Sequence, residues 1–318
     1  MQKSAQLPVR AGQFASGLPK SGHVCSKQKL AFGTARESAV CPHGIFRIYL
    51  TLPASSAIST TLNILSGIFD CVNSDNKETC DMAYQTVNPA NNQLIKSYPA
   101  HSDADVEAAL RQADALYHSA WAKGDIAQRL PVLHKLADLI DSRTEELAKI
   151  ASQEMGKLIK QSRGEVKLCA QIARYYADNA ERFLAPVKYP SDLGEAWVEH
   201  HPIGVLMAVE PWNFPYYQLM RVLAPNLAAG NPVIAKHASI VPQCAETFAH
   251  LVREAGAPEG AWTNLFISQE QVAKIIADDR VQGVALTGSE KAGGIVASQA
   301  AKHIKKATLE LGGNDVFV

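Results

Sequence analysis

A chain of 318 residues, 47% of them hydrophobic, can bury a sizeable core in one large domain or two, which excludes disorder throughout. Thirty-one basic residues balance thirty-one acidic ones, so no global field draws the protein toward nucleic acid or an anionic membrane, leaving small-molecule chemistry or protein contacts. Six cysteines, at positions 25, 41, 71, 80, 169 and 244, contain no CxxC pair. That pattern argues against a zinc ribbon or disulfide scaffold and for unpaired thiols in a reducing, cytoplasmic setting. His23, Cys25, Cys41 and His43 are metal-binding types, but each pair is too tightly spaced for the usual ligand loops, so no metal site is expected.

Residues 1–81 carry no helical or strand period for more than a few positions and are punctuated by Ser, Thr, Gly and Pro. They read as an extension of unknown fold, disordered or non-native, with Met82 as the natural start. The uncharged run 48–69 is long enough to cross a bilayer, yet Pro53, Asn63 and repeated Ser and Thr dilute it, and it begins too far in for a secretory signal. No membrane association is expected.

From Met82 the pattern becomes orderly. Ser102 is a candidate N-cap for a helix whose apolar positions Val106, Ala109, Leu110, Ala113, Leu116 and Tyr117 recur at helical spacing. Helical patterns follow over 126–140, 144–155 and 165–183, with Gly156 as a stop between the second and third. Pro186 to Pro202 reads as a hairpin turning at Asp192, Leu193 and Gly194. After Ile203 the period changes. Short β-rich runs at 203–209, 233–236, 263–267, 283–287 and 307–311 alternate with helical stretches, and strands spaced in this way need crossover helices. The expected fold class is α/β, a three-layer parallel sheet whose chemistry lies in the loops after the strands.

The first of these strands leads into Glu210, Pro211, Trp212, Asn213, Phe214 and Pro215. A rigid aromatic and proline setting suits an amide that donates to an oxyanion, or a tight turn whose Asn caps the next helix. The second leads to Lys236, His237, Ala238 and Ser239, a cation and a hydroxyl where a nucleotide ribose would lie, or ordinary solvated surface. The fourth ends in Thr287, Gly288 and Ser289 and opens a helix containing Gly293 and Gly294, a start that suits a pyrophosphate. The fifth ends in Leu309, Glu310, Leu311, Gly312 and Gly313, where the carboxylate is a candidate general base or a structural turn residue.

In combination PWNFP, the Lys236 segment, TGS and LELGG resemble the aldehyde dehydrogenase superfamily, and the resemblance covers residues 82–318. It implies a Rossmann-like cofactor-binding domain at 82–318, with the hairpin of about 186–202 used for oligomerisation. It implies that Asn213 donates to the thiohemiacetal oxyanion and that Glu310 activates the deacylating water. Lys236 and Ser239 would hold the adenosine ribose and Ser289 the pyrophosphate, with Val209, Trp212, Gly288 and Leu311 completing the cofactor cleft. The cofactor is NADP or NAD. Ser239 stands where many NAD-selective members carry a glutamate that would repel a 2′-phosphate, so NADP is expected to be accepted.

Arg221, eight residues after Asn213, stands where members acting on neutral aldehydes often carry an apolar residue. An arginine there would pair with a substrate carboxylate, or make a structural ion pair. With EMGK at 154–157, it makes the chain resemble the succinate-semialdehyde dehydrogenase branch; lactaldehyde or another small aldehyde is the alternative substrate. The family's nucleophilic cysteine falls beyond LELGG, and neither Cys169 nor Cys244 lies in a nucleophile motif. The chain is therefore expected to be a fragment without dehydrogenase activity of its own, lacking the catalytic domain. Full-length relatives are homo-oligomers, a state not guaranteed here. A non-catalytic nucleotide-binding or subunit-interaction module is the alternative of a different class.

Overall fold

The computed structural model describes residues 84–313. The extension at 1–81, the group His23, Cys25, Cys41 and His43, the uncharged stretch 48–69 and the Met82 start lie outside the described residues.

Strands β1 (Tyr84–Asn88) and β2 (Gln93–Tyr98) form an antiparallel pair whose Tyr84 and Tyr98 pack on Phe266. Ser102 caps α1 (Asp103–Tyr117) through a reciprocal capping box with Asp105, as its spacing predicts, and Val106, Ala109, Leu110 and Ala113 are the buried face. Helix α2 (Ala120–Lys123) follows. The helix expected from Ile126 is broken: a 3-10 turn at Ile126–Gln128 precedes α3 (Leu130–Ser142), because Pro131 has no N–H to give and fits only in a first turn. Between them the buried Arg129 donates from Nε to the Ala228 carbonyl (3.0 Å) and from Nη1 to that of Trp121 (2.6 Å).

Helix α4 (Thr144–Met155) ends at Gly156 in the left-handed conformation, φ 72°, as expected of a glycine stop. Helix α5 (Ile159–Leu184) starts six residues before the expected Glu165. The hairpin appears as β3 (Val187–Tyr189) and β4 (Ala196–Val198), turning through Gly194 at φ 133°.

Strand β5 (Val205–Glu210) is buried on both faces, which explains its continuous apolar run. Helix α6 (Pro215–Ala229), β6 (Val233–His237), α7 (Pro242–Glu254), β7 (Trp262–Asn264), α8 (Gln269–Ala277), β8 (Val281–Thr287), α9 (Glu290–Lys302) and β9 (Lys306–Glu310) complete the description. The five strands from β5 onward form one parallel sheet in the order β7-β6-β5-β8-β9. Strand β7 stops at Asn264 and β9 at Glu310, short of the expected Ile267 and Leu311.

Leu206 and Ala208 of β5 join a core with α3 to α7, whereas Val205 and Met207 join a second core with α1, α8 and α9. The three layers expected from the sequence are thus present. The chain leaves β5 toward β6 and β7, then returns to β8 on the other side. The boundary of β5 and β8 is a topological switch point, the place where sheets of this kind bind ligands. Among the described residues no helix is long and apolar enough to cross a membrane.

Candidate active site at the carboxyl edge of the sheet

The loops after β5 and β6 are held from a distance. Both α6 and α7 begin with proline, and their N-cap residues, Phe214 and Val241, offer no side-chain acceptor. Glu165 of α5 supplies the missing acceptor for α6, its Oε1 taking hydrogen bonds from the Tyr216 (2.8 Å) and Tyr217 (3.1 Å) amides. Its Oε2 pairs with Lys157, whose ammonium lies 3.5 Å from the centre of the Phe214 ring. Glu154 of α4 does the same for α7, accepting from the Gln243 (2.8 Å) and Cys244 (2.7 Å) amides and from the Thr86 hydroxyl (2.5 Å). Burial pushes the Glu154 carboxyl up, against the pull of these donors. Neither glutamate was singled out as a functional residue by its sequence pattern. The two uncapped helix starts are the signal that something distant must fill them.

Alternation along β5 divides the predicted residues between two faces. Val209 packs toward α1, α8 and α9. On that side Ser289 caps α9, its hydroxyl accepting from the Ala292 amide (3.2 Å). Leu311 seats against Gly293, where an added Cβ would come within 2.6 Å of the Leu311 Cδ2. Gly294 has open space beside it and Gly288 donates to the Glu310 carbonyl (2.9 Å). The start of α9 thus sets Ser289 and the glycine pair Gly293 and Gly294 at the end of β8. Lys236 is half-buried at the end of β6, not the solvated surface lysine of the bland reading, and burial lowers its pKa. Ser239 follows it, also half-buried. These residues suit a nucleotide: a cation, a hydroxyl and a helix start lie along one edge of the sheet.

The opposite face carries the acid and base groups. His237, Glu210, Thr287 and Glu310 end β6, β5, β8 and β9 at one level, Glu210 opposite His237 and Thr287 opposite Glu310. A cavity of about 270 Å³ opens beside this level, lined by Glu210, Arg221, Asn226, Thr287, Thr308 and Glu310 among others. Arg221 Nη2 lies 2.9 Å from Glu310 Oε1, so the two predicted functional residues are brought together as an ion pair, with 28% and 55% of their side chains exposed. Asn213 and Trp212 stand exposed in the loop above; α6 is capped at Phe214 and Asn213 makes no capping bond.

Glu210 and His237 were not assigned roles from the sequence. Glu210 is 3% exposed, and among the described residues neither of its carboxylate oxygens has a hydrogen-bond partner. Burial pushes its pKa up to about 8, the neighbouring Thr287 hydroxyl and then the Arg221 charge pull it down, and Glu310 adds to the rise. His237 is pushed down to about 4 by burial and its Nδ1 lies 3.1 Å from the Glu210 carbonyl. Cys169 and Cys244 are buried, and burial raises both thiols well above their usual range, so neither is poised as a nucleophile.

Comparisons with known proteins identify the family. Similar proteins include "Succinate-semialdehyde dehydrogenase [NADP(+)]" of Deinococcus radiodurans, 43% identical over 235 residues, covering 74% of this chain and 49% of the relative. "Probable succinate-semialdehyde dehydrogenase [NADP(+)]" of Synechocystis sp. is 45% identical over 237 residues, covering 74% and 52%. Among solved structures, succinic semialdehyde dehydrogenase from Streptococcus pyogenes in complex with NADP+ superposes with a TM-score of 0.72 at 48% identity, covering 73% of this chain and 51% of that one. The chain thus spans about half the length of the curated relatives it matches. With the family profile matching residues 76–318 as well, this sheet and its edge belong to a member of the aldehyde dehydrogenase family.

Proposed function

We propose that this chain supplies the nucleotide cleft, the oxyanion donor and the water-activating carboxylate for NADP-linked oxidation of a small aldehyde that carries a carboxylate, succinate semialdehyde being the best fit. The observation that carries the substrate class is Arg221 at the mouth of the cavity, beside Glu310. An arginine fork recognises a carboxylate with two hydrogen bonds, and the carboxylate of an acid-bearing aldehyde would compete with Glu310 for it. The similarity to relatives named succinate-semialdehyde dehydrogenase supports this reading.

Lys236, Ser239 and the start of α9 at Ser289 would hold the nucleotide, with Val209, Trp212, Gly288 and Leu311 along its path. Ser239 leaves room and a hydroxyl for a 2′-phosphate. The bound nicotinamide supplies the hydride acceptor. Asn213 donates to the developing oxyanion, and Glu310 takes a proton from the water that releases the acid. The two described cysteines are buried, and burial raises both thiols, so neither of these two suits the nucleophile's part.

Calorimetric titration of the chain with NADP and NAD tests the nucleotide cleft: measurable NADP binding is expected, and rejection of NADP with retention of NAD overturns the Ser239 reading. In the chain joined to the remainder found in its relatives, Arg221→Leu should raise KM for succinate semialdehyde far more than for a neutral aldehyde. Equal effects on both, or a preference for lactaldehyde, reject the substrate assignment. A second reading, a subunit-interaction module, is favoured by the hairpin β3–β4, where Val187, Tyr189, Trp197 and Val198 are all exposed. Recovery of the chain as a monomer when mixed with intact relatives would reject it.

A further inference from the structure

The level of the sheet that ends in Glu310 contains a second carboxyl. Val209 pairs with Leu286, and the next step along that register sets Glu210 beside Thr287, which itself pairs with Glu310. Neighbouring strands lie about 4.8 Å apart, so β5 and β9 are about 10 Å apart with Thr287 on the strand between them. All three side chains line the same cavity. Glu210 is buried, neither of its oxygens makes a well-formed hydrogen bond among the described residues, and the Thr287 hydroxyl is the one donor that acts on it, an expensive state for a carboxylate in a chain that elsewhere gives Glu154 and Glu165 several donors each.

We infer that Glu210 is a positioning residue for Glu310: the two carboxyls share one proton, Glu210 keeps it, and Thr287 between them relays the hydrogen bond. The protonated Glu210 donates to the Thr287 oxygen, and the Thr287 hydroxyl then has only Glu310 to donate to. Glu310 is thereby held ionised and aimed, as a base must be. The inference rests on Glu310 serving as the base.

The surroundings fit a neutral Glu210. The groups facing it are Arg221 from α6, Thr287 from β8, Glu310 from β9 and His237 from β6, with Lys306 lower in the same cavity. His237 is uncharged, and Arg221 is already engaged by Glu310 at 2.9 Å. Arg221 is shared with Glu310, Lys306 is exposed to solvent, and the Glu310 charge adds to the effect of burial, so the neutral form of Glu210 is favoured.

Infrared titration of the chain with its glutamates isotopically labelled tests this without cofactor or aldehyde. The wild type should show one protonated carboxyl persisting at neutral pH. Glu210→Gln should abolish it, and Glu310→Gln should shift its midpoint toward acid by removing the like charge. Thr287→Val should weaken that coupling while Thr287→Ser preserves it. Circular dichroism confirms that each variant is folded. Absence of a protonated carboxyl at neutral pH, a midpoint indifferent to Glu310→Gln, or coupling unchanged in Thr287→Val overturns the inference. Nucleotide titration is read separately, so failure of the nucleotide reading and failure of the shared proton are distinguishable. In the chain joined to the remainder of a relative, Glu210→Gln should alter the pH profile of acid release while leaving KM for the aldehyde nearly unchanged; a shift in KM alone also overturns it.

Discussion

Replacing Glu165 with glutamine should cost this chain a large fraction of its stability. Glu165 and Lys157 have only 1% and 7% of their side chains exposed, so the substitution strands an ammonium in the interior. Removing one partner of such a buried pair costs about 3–5 kcal/mol, against a whole-domain stability of about 5–15 kcal/mol. At about 2–4 °C per kcal/mol for a domain of this size, the melting temperature should fall by roughly 10 °C. The two members are not equivalent. Lys157→Met leaves Glu165 with the Tyr216 and Tyr217 amides, so it should cost less, and the double variant should recover much of the loss in Glu165→Gln. Urea unfolding followed by circular dichroism measures all three. A loss below about 1 kcal/mol for Glu165→Gln, the level of an exposed ion pair, or a larger loss for Lys157→Met, refutes the idea that this carboxylate anchors the start of α6.

Three other outcomes follow from the coordinates. Gly230→Ala should destabilise by about 2 kcal/mol or more in the same unfolding assay, because the residue sits at φ 90° and its Cβ would come within 2.3 Å of the Ala122 carbonyl oxygen. Glu210 has a folded pKa, about 8, above its unfolded value, so the native state binds the extra proton: its contribution is fully present below the unfolded value of 4.5 and is lost as pH rises toward 8. Glu210→Gln should flatten that decline, and an unchanged slope between mildly acidic and mildly basic pH counts against a protonated Glu210. His237 works in the opposite sense, its folded pKa of about 4 lying below 6.5, so stability should fall as pH drops from 6.5 toward 4, and His237→Gln should remove that component of the acid limb.

The sheet was legible from sequence because each of its strands is a short apolar run bounded by punctuation, and the hairpin because its turn carries Gly194. Ser102 and Gly156 were legible as caps because capping is a local interaction. What stayed hidden is long-range. Glu165 meets Tyr216 across 51 residues and Glu154 meets Cys244 across 90, and nothing in the composition around either glutamate marks it as buried. EMGK contributed only a likeness, although it carries both Glu154 and Lys157. Glu210 was read as part of a turn motif because strand β5 runs one residue further than its apolar pattern shows. The pairing of Arg221 with Glu310 joins two residues that the sequence placed in separate roles, and only the approach of α6 to β9 shows that each limits the other.

Register is what turns these separate residues into a site. A one-residue slip of β5 would exchange Val209 and Glu210 between the two faces of the sheet, placing a carboxyl in the nucleotide cleft and an apolar side chain beside Glu310. The β5–β8 pairing is irregular between Val205 and Leu206, where Gln282 is the extra residue, so β8 is reset against an uninterrupted β5. Gly204, immediately before, adopts φ 134°, and a Cβ there would approach Gln282 to 2.5 Å. The irregularity near the start of β8 therefore decides which of Leu286 and Thr287 at its open end shares a face with Glu210 and Glu310. The division of Val209 from Glu210 and of Leu286 from Thr287 between the two faces follows from the alternation of these two neighbouring strands.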